Sequence, residues 1–99
     1  MTEYVVNAAF MRAKAGKEEE LANRLRALVQ ASRSDAGVVI YDLHQSAEDT
    51  ASWFLYERYD SEGHRKTHME NPVLRSFIAD AVRLLDGGLD VRKFKLVSE

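Results

Sequence analysis

Short runs of apolar, β-branched and aromatic residues recur along the chain and predict four β-strands. The runs cover residues 4–11, 38–45, 52–59 and 89–97. Only the polar loop at residues 46–50 separates the second run from the third, so these two strands are expected to form a hairpin. In the first and third runs, both the odd-numbered and the even-numbered positions include apolar residues. Because successive side chains of a strand point to opposite faces, this predicts apolar contacts on both faces of the sheet.

Between these strands the apolar positions follow a helical period. The first helix is predicted from residue 17 to about 34. It has glutamates in its first turn, where the helix dipole favours anions. Its apolar stripe comprises Leu21, Leu25, Leu28, Val29 and Ser32. Two further helices are predicted, one capped by Asp60-Ser61 and running through Glu70, and one starting at Asn71-Pro72. The apolar face of the last helix comprises Leu74, Phe77, Ile78, Ala81 and Leu85, and Gly87-Gly88 ends that helix.

The element order β-α-β-β-α-β predicts an α+β fold of the ferredoxin-like type. Right-handed crossovers around a central hairpin give a four-stranded antiparallel sheet with its helices on one face. The other face would still carry aromatic side chains such as Phe54 and Tyr56. Because an uncovered apolar face favours a partner, we expect a homodimer that packs sheet against sheet around a two-fold axis.

Length and composition narrow the possible functions. The chain has 99 residues, which predicts a single domain over residues 1–99. Its 14 Lys and Arg against 16 Asp and Glu leave no basic excess for nucleic acid or an anionic membrane. It contains no cysteine, and no apolar run is long enough for a membrane span or a signal peptide. We therefore expect a cytoplasmic protein that binds neither nucleic acid nor membrane.

Several short motifs, in their order and spacing, resemble the antibiotic biosynthesis monooxygenase (ABM) domain family. They lie at residues 14–21, 34–37, 41–43 and 54–59, at His68 and at Asn71-Pro72, and so cover nearly the whole chain. The resemblance implies a dimeric α+β barrel. It also implies one of several chemistries: cofactor-independent oxygenation of quinols and aromatic polyketides, haem degradation, or isomerisation of a phosphorylated quorum-sensing signal.

The resemblance further implies a cavity between the sheet and its helices, with five side chains in or near it: Asn7, Tyr41, Glu57, Tyr59 and His68. An amide in an apolar strand needs hydrogen-bond partners, so Asn7 either orients a ligand oxygen or bonds to a protein neighbour. The aromatic residues Tyr41, Trp53 and Tyr59 would form walls for a flat substrate, or belong to the core.

Glu57 and His68 are the candidate acid–base residues. A carboxyl group facing a dry cavity has a raised pKa and can act as a base, and histidine titrates near neutral pH. The resemblance places His68 on the short helix facing Glu57, which predicts a Glu57–His68 pair. That pair would be either a general-base unit or a purely structural contact.

Metal and haem chemistry receive little support from the sequence. His64 and His68 share a helical face, but Arg65 follows the first histidine where the zinc-protease pattern has glutamate, so we expect no metal site. The haem-degrading members of the resembled family have a tryptophan at the position of Tyr59 and an axial histidine at the position of Ile78. These two differences argue against haem degradation. Val73 follows Pro72 where many members have a histidine.

The leading functional hypothesis is a monooxygenase that oxidises a quinol or polycyclic phenol with O2 and needs no cofactor. Its catalytic residues would be His68, Glu57 and Asn7, and its substrate-binding residues Tyr41, Trp53 and Tyr59. Two alternatives stay open. One is an isomerase of a small phosphorylated hydroxyketone, because the Tyr56-Glu57-Arg58-Tyr59 segment resembles the signal-processing branch of the family. The other is a non-catalytic dimeric binding module.

Overall fold

The computed structural model describes residues 4–98 and contains one four-stranded antiparallel sheet. Its strands are β1 (Val5–Arg12), β2 (Val38–Gln45), β3 (Ser52–Tyr59) and β4 (Asp90–Lys95). The helices are α1 (Glu18–Arg33), α2 (Glu62–His68) and α3 (Pro72–Leu84). The strands lie in the order β2-β3-β1-β4, with β1 in the centre between β3 and β4. This confirms the predicted ferredoxin-like α+β fold, and two consecutive helices form its second crossover.

The capping residues place the starts of α2 and α3 where the sequence predicts them. The Ser61 hydroxyl accepts a hydrogen bond from the His64 amide at 3.1 Å. The Asn71 side-chain oxygen accepts from the amides of Val73 and Leu74, and Pro72 occupies the first turn, where its missing N–H costs nothing. These two caps allow one helix to end and the next to begin within a few residues.

The main core lies between the sheet and the helices. Helix α1 contributes its predicted stripe, with Leu21, Leu25 and Leu28 fully buried against the inner face of the sheet. Helix α3 contributes Leu74, Phe77 and Leu84. The apolar stripes therefore hold both helices on the same sheet face, as the sequence predicts.

The predicted apolar face of α3 is incompletely buried at one position. Ile78 is 42% exposed, because it lies one residue beyond the buried Phe77 and so falls at the edge of the stripe. Leu85 is buried, but it lies after the helix, where it forms an isolated β-bridge with Ala13. The last strand is also shorter than predicted, because its pairing with β1 extends only from Asp90 to Lys95.

The sheet face that the helices leave uncovered carries aromatic side chains. The rings of Phe10 and Phe54 stack with centroids 5.1 Å apart, and the Arg92 guanidinium lies 5.2 Å from the Phe10 ring centroid. Phe94, on the neighbouring edge strand, is 52% exposed. We name Phe10, Phe54, Tyr56 and Phe94 the outer aromatic face. Within residues 4–98, no helix is both long enough and apolar enough to cross a bilayer.

Candidate functional site

A narrow cavity lies between the inner face of the sheet and the helices α1 and α3. Its empty volume is about 380 Å³ with the mouth included, although its enclosed part has room for only a few water molecules. The apolar walls comprise Ala9, Met11, Leu28, Leu55, Leu74 and Phe77. The remaining apolar side chains, several of them exposed, comprise Met69, Ile78, Leu89 and Val91, and we call them the cavity mouth.

Asn7 and Glu57 form the polar end of this cavity. They are directly opposed across the β1–β3 ladder, and alternation along each strand turns both side chains towards the helices. Asn7 is 3% exposed and Glu57 is 5% exposed. Tyr41 of β2 pairs with Glu57 on the other side and completes the polar lining. The structure thus brings together three of the predicted site residues at one point of an otherwise apolar wall.

Glu57 is held by hydrogen bonds rather than by a salt bridge among residues 4–98. The Tyr59 hydroxyl donates to Glu57 Oε1 at 2.5 Å. Burial raises the pKa of the Glu57 carboxyl, while hydrogen bonds from Tyr59 and Asn7 and attraction to His68 oppose that rise. A buried carboxyl group whose pKa is raised is suited to accept a proton near neutral pH.

His68 lies next to this group, but its hydrogen-bond partner differs from the one predicted. Its Nδ1 is 2.9 Å from Asp35 Oδ2, so the predicted Glu57–His68 pair is replaced by an Asp35–His68 pair. The fully buried imidazole contacts Tyr41 edge-on at 5.3 Å and Tyr59 at 5.5 Å, measured between ring centroids. His68 therefore lies behind the cavity wall, whereas Glu57 forms part of it.

The two site tyrosines occupy different places. Tyr41 lines the cavity, as predicted for a substrate wall, while Tyr59 is fully buried and lies outside the cavity lining. Burial and the nearby Glu57 carboxylate raise the pKa of both phenols above the usual tyrosine range. Both therefore stay protonated at neutral pH, and Tyr59 is linked to the cavity only through its hydrogen bond to Glu57.

The structure does not bring Trp53, the third predicted aromatic wall residue, to this cavity. Trp53 faces the helices but pairs with Met11 and Gln45 near the start of β3, and it is absent from the cavity lining. Trp53 lies four positions before Glu57, a distance of about 13 Å along an extended strand. Both side chains face the helices, but this distance places Trp53 at the far end of the core.

An ion cluster closes the sheet edge beside Asn7. Lys93 of β4 is the other cross-strand neighbour of Asn7, and its Nζ lies 2.8 Å from Glu62 Oε1. Glu62 also binds Arg65 at 2.7 Å, and these two cations lower the pKa of Glu62 to about 2. The cluster joins α2 to β4 next to the polar end of the cavity. The single Glu62 carboxylate balances only one of these two cations, so the cluster keeps a net positive charge at this edge of the sheet.

Sequence reasoning missed Asp35 and most of the cavity mouth. Asp35 follows the end of α1, and its Oδ2 accepts hydrogen bonds both from His68 and, at 3.0 Å, from Asn71 Nδ2. The sequence shows Asp35 only as part of the turn that ends a helix, 33 residues before its histidine partner. The mouth residues Met69, Leu89 and Val91 come from segments between or at the ends of elements, where periodicity carries little information.

The two helix α2 histidines bind separate carboxylates. His64 Nδ1 lies 2.6 Å from Asp60, on the surface, while His68 binds Asp35 in the interior. Among residues 4–98, no group of three or more histidine, aspartate or glutamate side chains is arranged to hold a metal ion. The described site thus offers one carboxyl group, one amide and one phenol to a ligand, in an apolar setting.

Comparison with known proteins agrees with this geometry. The family model described as "Antibiotic biosynthesis monooxygenase" matches residues 4–80. The chain belongs to the antibiotic biosynthesis monooxygenase family. This match runs from β1 into α3, as far as residue 80, and includes every residue of the polar end of the cavity.

The matches between this ABM protein and its relatives cover nearly its whole length. It is 30% identical over 92 residues to "Putative monooxygenase YcnE" of Bacillus subtilis (strain 168), which covers 93% of this chain and 97% of that protein. It is similar to Rv0793 of Mycobacterium tuberculosis, with a TM-score of 0.91 and 25% identity over 97% of each chain. PA3566 of Pseudomonas aeruginosa has a TM-score of 0.88 and 26% identity, over 99% of this chain and 97% of that one.

Proposed function

We propose that this ABM protein is a monooxygenase that oxidises a quinol or polycyclic phenol with O2. The observation that carries the proposal is the buried Glu57 carboxyl beside the Asn7 amide, on the wall of an otherwise apolar cavity. A base in a dry site can ionise a phenol whose carbon skeleton then becomes electron-rich enough to react with O2. The family match and the monooxygenase name of the Bacillus relative support the same reaction class.

The reaction balances without a metal or organic cofactor, since the substrate supplies every electron. Glu57 takes the phenolic proton, and the resulting carbanion transfers electrons to O2. A carbon–oxygen bond forms, the O–O bond breaks, and one oxygen atom stays in the product while the other leaves as water. Both hydrogens of that water come from the oxidised substrate, so Glu57 returns to its starting state.

The remaining site residues have supporting roles in this scheme. Asn7 would orient the substrate oxygen or O2 through its amide, because it is the polar neighbour directly opposite Glu57. Tyr41 would form the aromatic wall. His68 would take the phenolic proton on from Glu57 and return it before water leaves, while the apolar walls would shield the intermediates from water.

The enclosed part of the cavity is small, so a polycyclic substrate requires the mouth to widen. The mouth side chains Met69 and Ile78 are partly exposed and belong to the end of α2 and to α3, so the widening would take place at these helices and not in the sheet. Their apolar character favours a flat aromatic substrate over a phosphorylated one. The isomerase alternative, which needs a polar mouth, is less well supported for this reason.

The active form in this proposal is a homodimer in the cytoplasm, built from a single domain over residues 1–99. The outer aromatic face supplies the interface, because its exposed rings, including Phe10 and Phe94, are otherwise left in water. A two-fold axis across this face would cover it on both copies at once.

Oxygen uptake by the metal-free protein over a panel of hydroquinones and anthrone-like phenols tests the proposal. Glu57→Gln keeps the size of the side chain and an oxygen that can accept from Tyr59, but it removes the base. We expect uptake well above autoxidation in the native protein and a loss of about 100-fold in kcat for this variant. The matched control Glu48→Gln changes an exposed glutamate in the β2–β3 loop and should leave the rate unchanged.

Three results would each point elsewhere. No uptake across the panel by a folded protein would contradict the proposal. Ligand binding without turnover would favour the non-catalytic binding module. Conversion of a hydroxyketone without oxygen consumption would favour the isomerase.

A further inference from the structure

Asp35 connects three elements at the back of the site. It follows α1, and its Oδ2 accepts from Asn71 Nδ2, the residue that caps α3. The same oxygen lies 2.9 Å from His68 Nδ1 at the end of α2. The side chain of His68 is only 1% exposed, whereas that of Asp35 is 27% exposed. The imidazole thus has one fixed hydrogen bond, to a carboxylate that reaches towards solvent.

This hydrogen bond determines which nitrogen of His68 carries the proton. An ionised carboxylate only accepts hydrogen bonds, so Nδ1 must be the donor. In the neutral imidazole, Nε2 then keeps its lone pair and can accept a proton. Nε2 lies at the opposite edge of the ring from Asp35, is fully buried, and has no hydrogen-bond partner among residues 4–98. The ring itself packs against Tyr41 and Tyr59, the neighbours of Glu57.

We propose that Asp35 is the positioning residue of the site, which fixes His68 in the Nδ1–H tautomer and leaves Nε2 as a proton acceptor beside the Tyr41–Glu57–Tyr59 group. The role in turnover rests on the proposed function, but the tautomer does not. Asp35 lies outside the cavity lining, so it acts on the reaction only through His68.

Nitrogen NMR of histidine-labelled protein tests the tautomer directly. At a pH of about 8.5, above the ordinary histidine range, we expect native His68 to carry its proton on Nδ1. Asp35→Ala removes the acceptor, and the proton should redistribute towards Nε2. Asp35→Asn keeps an oxygen at the same place and should retain the native tautomer. Native His68 that carries a proton on Nε2 at this pH, either alone or together with one on Nδ1, would overturn the inference without any variant.

The surface pair His64–Asp60 provides the matched control. It is also a histidine Nδ1 bonded to an aspartate, on the same helix, but both side chains are more than 40% exposed. Asp60→Ala should alter the His64 signals and leave those of His68 unchanged. A change of the His68 tautomer in this control variant would contradict a specific role for Asp35.

Turnover then tests the consequence for catalysis. Asp35→Ala should lower kcat about tenfold or more, with KM within about twofold, and Asp35→Asn should recover most of the rate. If the tautomer shifts in Asp35→Ala but kcat stays within about twofold, the positioning role is overturned. If the native protein turns over none of the panel, the proposed function fails, and the tautomer measurement still decides the structural half of the inference.

Discussion

At Glu57, a carboxyl group meets an apolar cavity with hydrogen-bonding neighbours and no ion pair among residues 4–98. Its strand alternates faces so regularly that the sequence could predict its direction, together with that of Asn7 opposite. The sequence could not show that His68 would form a hydrogen bond with Asp35, because that pair depends on how the loop after α1 packs against α2. The direction of each candidate side chain was thus predictable from its own strand, but its hydrogen-bond partner was not.

The raised pKa of Glu57 predicts how stability depends on pH. Between the ordinary glutamate value of 4.5 and the raised folded value, the folded protein binds more protons than the unfolded one. Stability should therefore fall as pH rises through this window, by about 1.4 kcal/mol for each unit between the two pKa values. Glu57→Gln does not titrate, so it should gain stability relative to the native protein over the same window.

Urea unfolding of the native protein and Glu57→Gln across a pH series measures this difference. A stability difference that stays constant with pH would mean that the folded and unfolded pKa values are equal. A difference that changes in the opposite direction would mean that the folded carboxylate is stabilised. Either result would remove the burial-raised pKa that supports Glu57 as the base.

At the scale of elements, strand and helix placement follows from local patterns, and contacts between elements do not. The bounds of β2 and β3 match the predicted ranges because both strands are long, apolar and enclosed by turn residues. The end of α3 and the length of β4 differ, because pairing and packing with other elements decide them. The turn after α1 was predicted from its sequence, but its close contact with α2 was not.

That contact predicts a specific effect of substitution at Gly37. Gly37 has a φ of +79°, and a Cβ atom added there would overlap the ring and Cβ of His64. Gly16 has a φ of +86° with open space around it, so it isolates the backbone effect. Gly16→Ala should cost about 1 kcal/mol of unfolding free energy, and Gly37→Ala should cost about 1–3 kcal/mol more, because His64 must move.

Thermal and urea unfolding of the two variants measure these costs side by side. Equal destabilisation would show that His64 moves aside freely and that the loop after α1 is not packed against α2. Because Asp35 lies in the same loop, the tautomer of His68 in Gly37→Ala also reports whether this contact supports the site.

For the molecule as a whole, the open question is what covers the outer aromatic face. The fold, the inner core and the family of the chain follow from sequence pattern and comparison, whereas an interface depends on a second molecule. Stacked rings and partly exposed phenylalanines on one sheet face favour an apolar contact there. We propose that contact as the homodimer interface.

Sedimentation equilibrium of Phe10→Glu tests this interface. A carboxylate at the centre of the outer aromatic face should convert the dimer to monomer, because burying it between two apolar faces costs more free energy than attraction to the neighbouring Arg92 guanidinium returns. Val82→Glu places the same charge on α3, at a side chain that is 83% exposed, and should leave the dimer intact. A native protein that is monomeric at all concentrations would rule out the proposed dimer.

Oxygen uptake in ¹⁸O₂, with mass analysis of the product, shows whether this protein is a monooxygenase with Glu57 as its base. We expect one labelled oxygen atom in each product molecule and the other in water, with both lost in Glu57→Gln and kept in Glu48→Gln. Product that forms at the native rate without label, or label incorporation that Glu57→Gln leaves unchanged, would contradict a monooxygenase whose base is Glu57.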